Sequence, residues 1–223
     1  MPKNVLLDLD GTLVDPRNGF IASIRHALHS LGCDDGLDDG MVASHIGPPL
    51  HETLHKLLGE SRAGDVAEAV RLYREHYNDE GILEQTLYTG VPDALKALRR
   101  SGVRLILATS KPRVFAQRIL DRFGLAGGFF AIHGSELDGT RADKAELIRY
   151  ILKRESLVPE DAVMIGDRAQ DVHAACANGM CSVGVLWGYG SRDELVRAGA
   201  TALCKGPLEL LDAVMDIKCL PAI

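Results

Sequence analysis

The sequence contains no CxxC pair, no block of like charge and no apolar run of membrane-spanning length. Each absence closes a class. The five cysteines, Cys33, Cys176, Cys181, Cys204 and Cys219, are odd in number, which predicts free thiols rather than a disulfide framework or a zinc site. Without a stretch of about twenty apolar residues no membrane-spanning helix is expected. A net charge of −6, a pI near 5.7 and the lack of a basic arm argue against a nucleic-acid polymer as partner. A single phosphate can still be held locally. A carboxylate-rich motif begins at residue 8, so no signal peptide is expected ahead of it, and the cytoplasm is the expected compartment. Internal repeats and low-complexity segments are also missing.

What is present is a sizeable apolar fraction, 46% of 223 residues, enough for one large domain or a core with a smaller second unit. Short apolar runs of strand length recur: "NVLLDLD" from residue 4, "VRLILAT" at 103–109, "FFAIHG" at 129–134, "AVMIGD" at 162–167 and "SVGVLW" at 182–187. They alternate little, as strands buried on both faces should. Helical periods separate them. In "GVPDALKALRRSG" the apolar Val91, Ala94, Leu95 and Leu98 fall at i, i+3, i+4 and i+7, with Pro92 at the start and Gly102 beyond the end, a helix signature. The alternation predicts an α/β fold with a doubly wound, mainly parallel sheet. One interval departs from it. Residues 16–85 carry helical periods only, such as "FIASIRHALHSLG" and "VAEAVRLYREHY", punctuated by "CDDGLDDG" and "IGPP". They read as an inserted helical unit in a core made of 1–15 and 86–223.

Polar residues collect where strands end. Asp8 and Asp10 end the first, Thr109, Ser110 and Lys111 the second, Gly166 and Asp167 a later one, with Asp171 a helical turn beyond. In an open parallel sheet ligands bind at the carboxyl ends of the strands, so these distant residues are expected to meet in one crevice. Acidic side chains meeting there call for a hard cation, and Mg²⁺ is the usual choice. That cation would compensate carboxylates otherwise costly to desolvate.

"DLDGTLVD", "LATSKP", Lys144 in "GTRADK" and "IGDRAQD" resemble, in order and spacing, the four motifs of the haloacid dehalogenase-like phosphatase superfamily. The resemblance covers nearly the whole chain. Further stretches, "YTGVPDALKALRRSGVRLILATSKP", "GSELDGTRADKAELI", "MIGDRAQDVHAACANGM" and "GVLWGYGS", resemble the branch with phosphoglycolate phosphatase-like and 5′-nucleotidase-like enzymes. Such a resemblance implies a Mg²⁺-dependent phosphatase acting on a small-molecule phosphate ester, with neither membrane nor nucleic acid as partner, working as a monomer or homodimer. It implies Asp8 as nucleophile and Asp10 as general acid and base. Thr109 and Lys144 would hold the phosphoryl oxygens, with Gly11, Thr12 and Ser110 also lining the substrate. Metal ligands would be Asp8, the Asp10 carbonyl and Asp167, and Asp171 would stand behind them, orienting a water on the metal or Lys144.

Rival readings attach to several residues. Lys144 is followed by Ala145 where the family often has proline, and Lys111 competes for its role. Asp167 is also placed to cap the helix starting near Ala169. His51 and His55, four apart, lack a third ligand and read as ordinary surface or core residues. A phospho-receiver module would lack the acid at position 10, and a dehalogenase needs no acid there. A phosphomutase of the same superfamily is the alternative reading, and it would need a cap that excludes water while admitting a sugar hydroxyl. In the phosphatase reading the helical unit is expected to act as a lid over the core, with "HIGPPL" as its substrate-facing loop and Arg17, Arg25 and Lys56 as candidates to meet an anionic leaving group.

Overall fold

The structure, a computed structural model, describes residues 2–33 and 36–217. Residues 34 and 35 of "CDDGLDDG" and Cys219 lie outside the described residues. Two compact units emerge, one from the chain up to Asp15 and from Leu87 onward, the other Pro16–Thr86.

The Pro16–Thr86 unit contains α1 (Arg17–Ser30), α2 (Asp39–Ala43), α3 (Leu50–Leu58) and α4 (Val66–Asp79). Helix α4 buries Val66, Ala69, Tyr73 and Tyr77 along one stripe, the face a 3.6-residue period aligns. Tyr73 and Tyr77 stack at 5.4 Å, and Phe20 of α1 meets Tyr73 edge-on at 6.0 Å, so aromatic packing joins the two longest helices. Asp38 caps α2 by accepting from the Met41 N–H at 2.8 Å. Residues 45–49 of "HIGPPL" lie in the connector between α2 and α3, where glycine and prolines break the helix, and Leu50 opens α3. Arg25 is tied to Asp39 at 2.7 Å and donates to the Leu37 carbonyl at 2.9 Å. His51 is exposed and His55 lies 3.9 Å from Glu60, so neither joins a metal-type cluster among the described residues.

In the other unit β1 (Asn4–Leu7) is buried throughout. A short ribbon pairs β2 (Val14–Asp15) with β3 (Thr86–Leu87). Then follow α5 (Val91–Arg100), β4 (Arg104–Pro112), α6 (Arg113–Arg122), β5 (Ala131–Ser135), α7 (Lys144–Arg154), β6 (Ala162–Gly166), α8 (Ala169–Ala177), β7 (Cys181–Val185), α9 (Arg192–Arg197), β8 (Ala202–Cys204) and α10 (Leu210–Met215). Six strands form one sheet in the order β5-β4-β1-β6-β7-β8, every neighbouring pair parallel. The expected doubly wound α/β architecture is therefore present. Leu6, Ile106 and Met164 on one face pack against Leu147, Ile148 and Ile151 of α7 and Ala174 and Ala175 of α8. The connections leave β1 toward β4 and β5, then return to its other side at β6, which makes the carboxyl ends of β1 and β6 the switch point.

Some boundaries differ from the sequence reading. The strand expected at 129–134 begins at Ala131, and Phe130, 54% exposed, stands before it. The sequence pattern does not mark β8, because its three residues are too short to carry a period. Cys33, Cys176 and Cys204 are free thiols, and burial pushes the Cys204 thiol up to about 11. Cys181 is disulfide-bonded, which corrects the expectation for that residue; distance in the fold, not spacing in the chain, decides bridging. Among the described residues no helix is long and apolar enough to cross a membrane.

Candidate active site

β1 carries Asp8 directly to the carboxyl edge of the sheet, where the Asp8 N–H still donates to the Ile165 carbonyl of β6 at 2.9 Å. The chain then turns on itself, with Gly11 N–H on the Val14 carbonyl at 2.8 Å and Leu13 N–H on the Leu9 carbonyl at 2.8 Å. Gly11 sits at φ +78°, and a Cβ there would overlap the Asp167 carboxylate. Only glycine meets both demands.

β4 brings the second group. Its register to β5 shifts between Thr109 and Pro112, which turns the end of the strand out of the ladder. Thr109 Oγ1 accepts from the Lys111 N–H at 3.2 Å, leaving the hydroxyl hydrogen to donate elsewhere. Ser135 Oγ donates to the Ser110 carbonyl at 2.8 Å, so Ser110 is fixed through its backbone. Lys111 reaches across to donate to Asp10 Oδ2 at 2.6 Å.

Lys144 opens α7, whose cap Asp143 accepts from the Glu146 N–H at 2.8 Å. The buried Lys144 ammonium donates to Asp8 Oδ1 at 2.8 Å and to the Ala108 carbonyl at 3.0 Å, and lies 2.9 Å from Asp171 Oδ1. Lys144 therefore holds the central position, while Lys111 is engaged by Asp10. Burial alone would lower the Lys144 pKa; the Asp171 and Asp8 carboxylates overturn that and hold it above its ordinary value.

β6 supplies Asp167, and α8 supplies Asp171. The N-cap of α8 is Arg168, whose N–H donates to Asp171 Oδ2 at 3.2 Å. Asp167 is thus not the cap. Its Oδ2 accepts from the Tyr189 N–H at 2.8 Å and its Oδ1 from Thr12 Oγ1 at 3.5 Å. Thr12 is fully buried, and its hydroxyl is directed at Asp167.

Asp8, Asp167 and Asp171 each offer an oxygen within 4.8 Å of the others, all buried. Burial lifts the Asp167 carboxyl well above the ordinary carboxylate range, with repulsion from Asp171 and Asp8 adding to it. Burial raises Asp171 to about 6 against the pull of Lys144, and Asp8 adds to the rise. Asp10 is raised as well, by burial in spite of Lys111, and its Oδ1 is buried without a hydrogen-bond partner among the described residues. Three clustered carboxylates facing one ammonium are under-compensated, and an all-oxygen donor set of this kind suits a hard divalent cation. The residues present fit the metal that the motifs imply.

Residues outside the four motifs also enter the site. Tyr189 meets Asp167 through its N–H and the Asp15 carboxylate through its hydroxyl, and Trp187 Nε1 donates to the Thr12 carbonyl at 3.0 Å. The closely spaced glycines of "GVLWGYGS" signal a tight turn, but spacing could not say what the turn approaches.

Fold and site together place a buried cluster of carboxylates and a lysine at a sheet switch point. Residues 5–185 match the model of the haloacid dehalogenase-like hydrolases, and the chain belongs to that family. It is an enzyme of the phosphatase class within it. It is 45% identical over 203 residues to a 5′-nucleotidase of Pseudomonas aeruginosa, covering 90% of each chain. It is 41% identical to a protein of Mycobacterium tuberculosis named tyrosine-protein kinase PtkA, over 91% of this chain and 68% of that one. To phosphoglycolate phosphatase 1 of P. aeruginosa it is 32% identical, over 95% of this chain and 79% of that one. A solved structure of a predicted phosphatase from Clostridium acetobutylicum superposes with a TM-score of 0.92 at 35% identity, covering 97% of this chain and 100% of that one.

Proposed function

We propose that the protein hydrolyses a small-molecule phosphate monoester, a 5′-nucleotide or a phosphoglycolate-like ester, by way of an aspartyl-phosphate on Asp8. The observation that carries this reading is the bridge of Lys144 between Asp8 and Asp171, 2.8 and 2.9 Å away, with Asp10 two residues beyond Asp8. An Asp8 oxygen attacks phosphorus as the ester P–O bond breaks, and Asp10 gives its proton to the departing oxygen. Asp10 then takes a proton from water, which attacks the aspartyl-phosphate and releases inorganic phosphate. Burial favours the protonated form of Asp10, which suits the first of these steps. Thr109 and Lys144 hold the phosphoryl oxygens as charge shifts onto them. Lys144 also fixes which Asp8 oxygen is bound and which remains to react.

Asp8, the Asp10 carbonyl and Asp167 would hold Mg²⁺, with Asp171 beside them. When bound, the cation supplies charge neutralisation between the carboxylates and the phosphoryl group. Thr12 and Gly11 act in this reading by supporting Asp167. Residues 16–85 serve as the cap that selects the leaving group. The names of the relatives at 45% and 32% identity support the two ester classes, and p-nitrophenyl phosphate serves as a generic third. Phosphate release from this panel, measured with Mg²⁺ and after exhaustive metal removal into EDTA, tests the reading. Mg²⁺-dependent release from one of the esters is expected. Full turnover in EDTA, or none on any ester, contradicts it.

A further inference from the structure

We propose that the turn Trp187–Gly190 positions Asp167 for the cation of the site, with Tyr189 as its central residue. The inference rests on the cation reading above.

After β7 the chain folds back onto Asp167, and the Tyr189 N–H takes Asp167 Oδ2 at 2.8 Å. Approach this close needs bare backbone on both sides. A Cβ on Gly188 would overlap the Asp167 side chain and the Gly11 carbonyl, and one on Gly190 would overlap the Asp167 carbonyl. Three further bonds keep the turn in place. Trp187 Nε1 donates to the Thr12 carbonyl at 3.0 Å, the Tyr189 hydroxyl donates to the Asp15 carboxylate, and Tyr88 hydrogen-bonds with the Tyr189 side chain. Thr12, pinned by Trp187, meets the other Asp167 oxygen at 3.5 Å. Both oxygens of Asp167 are therefore addressed by groups that the turn holds. A carboxylate so gripped presents its remaining lone pairs in a set direction, and loss of such outer partners typically weakens metal binding tenfold to hundredfold. The tether at Asp15 extends the grip to the last residue before the chain passes into the Pro16–Thr86 unit.

The chain carries one tryptophan, and it lies in this turn, so its emission reports on the element itself. Mg²⁺ titrated into metal-free protein is followed by Trp187 fluorescence and, independently, by the rise in melting temperature that binding to the folded state produces. Gly188→Ala should raise the Mg²⁺ dissociation constant about tenfold to hundredfold. Tyr189→Phe keeps the N–H but loses the Asp15 tether, and should fall between wild type and Gly188→Ala. Adding Asp15→Asn to Tyr189→Phe should weaken binding no further, because both break one bond. If Gly188→Ala does not fold, Tyr189→Phe and the double variant decide. A wild type that responds to Mg²⁺ in neither readout overturns the cation reading and this inference with it. A wild type that binds Mg²⁺ while the variants titrate identically overturns this inference alone.

Discussion

In metal-free protein, acidification should stabilise the fold relative to a variant lacking Asp171, the reverse of ordinary acid denaturation. The folded chain keeps a proton on Asp171 up to about pH 6, against an ordinary value of 3.8. Between those values the folded state binds more protons than the unfolded one, so stability grows as pH falls. The whole difference is worth about 3 kcal/mol, of which about 1.4 kcal/mol is realised between pH 7 and pH 5. Asp171→Asn cannot titrate, so the comparison removes the contribution of this group. Removing the Asp171 charge also relaxes Asp167, which it repels, and this moves the difference in the same direction. Urea unfolding of wild type and Asp171→Asn in EDTA, from pH 7.5 to 5, measures it. The wild type should gain on the variant as pH falls; a flat or opposite trend refutes the electrostatic account of the cluster. Saturating Mg²⁺ should reverse the slope, because protons then compete with the cation.

Lys144→Met strips the counter-charge from two buried carboxylates, Asp8 and Asp171, and should cost about 3 to 5 kcal/mol at neutral pH without metal. Urea melts with and without Mg²⁺ check this, and the cation should restore part of the loss. The raised Lys144 pKa means that its stabilisation is complete below the ordinary lysine value and fades only as alkali passes the folded value, so stability should hold to about pH 10. Thr109→Val keeps the side-chain shape but removes a donor. It should lower kcat on the order of 10²-fold, and an unaltered rate would make Thr109 structural.

Much of this was legible because the strands repeat one simple pattern. Val5 to Leu7 and Val163 to Ile165 are buried on both faces, so an unalternating apolar run could be read as a central strand. Asp8 and Asp167 were visible because carboxylates at the ends of such runs contradict their surroundings. Thr12 and Tyr189 were harder. A threonine after glycine looks the same in sequence whatever its hydroxyl meets, and here that partner is Asp167. Tyr189 acts through a backbone N–H, which no side-chain pattern encodes. The Lys144 and Lys111 assignments needed distances, since each lysine is placed by a different helix or strand end and only the fold tells which carboxylate it meets. β8 stayed invisible because three residues hold no period.

The central claim is that Asp8 receives the phosphoryl group and Asp10 moves the protons. Rapid quench with p-nitrophenyl phosphate tests it most directly, since that leaving group barely needs protonation. Asp10→Asn should lose roughly 10²- to 10⁴-fold in steady turnover yet still give a burst of p-nitrophenol and a phosphoenzyme labelled at Asp8, whereas Asp8→Asn should form none. A phosphoenzyme in Asp8→Asn, or label on another residue of the wild type, would contradict the account.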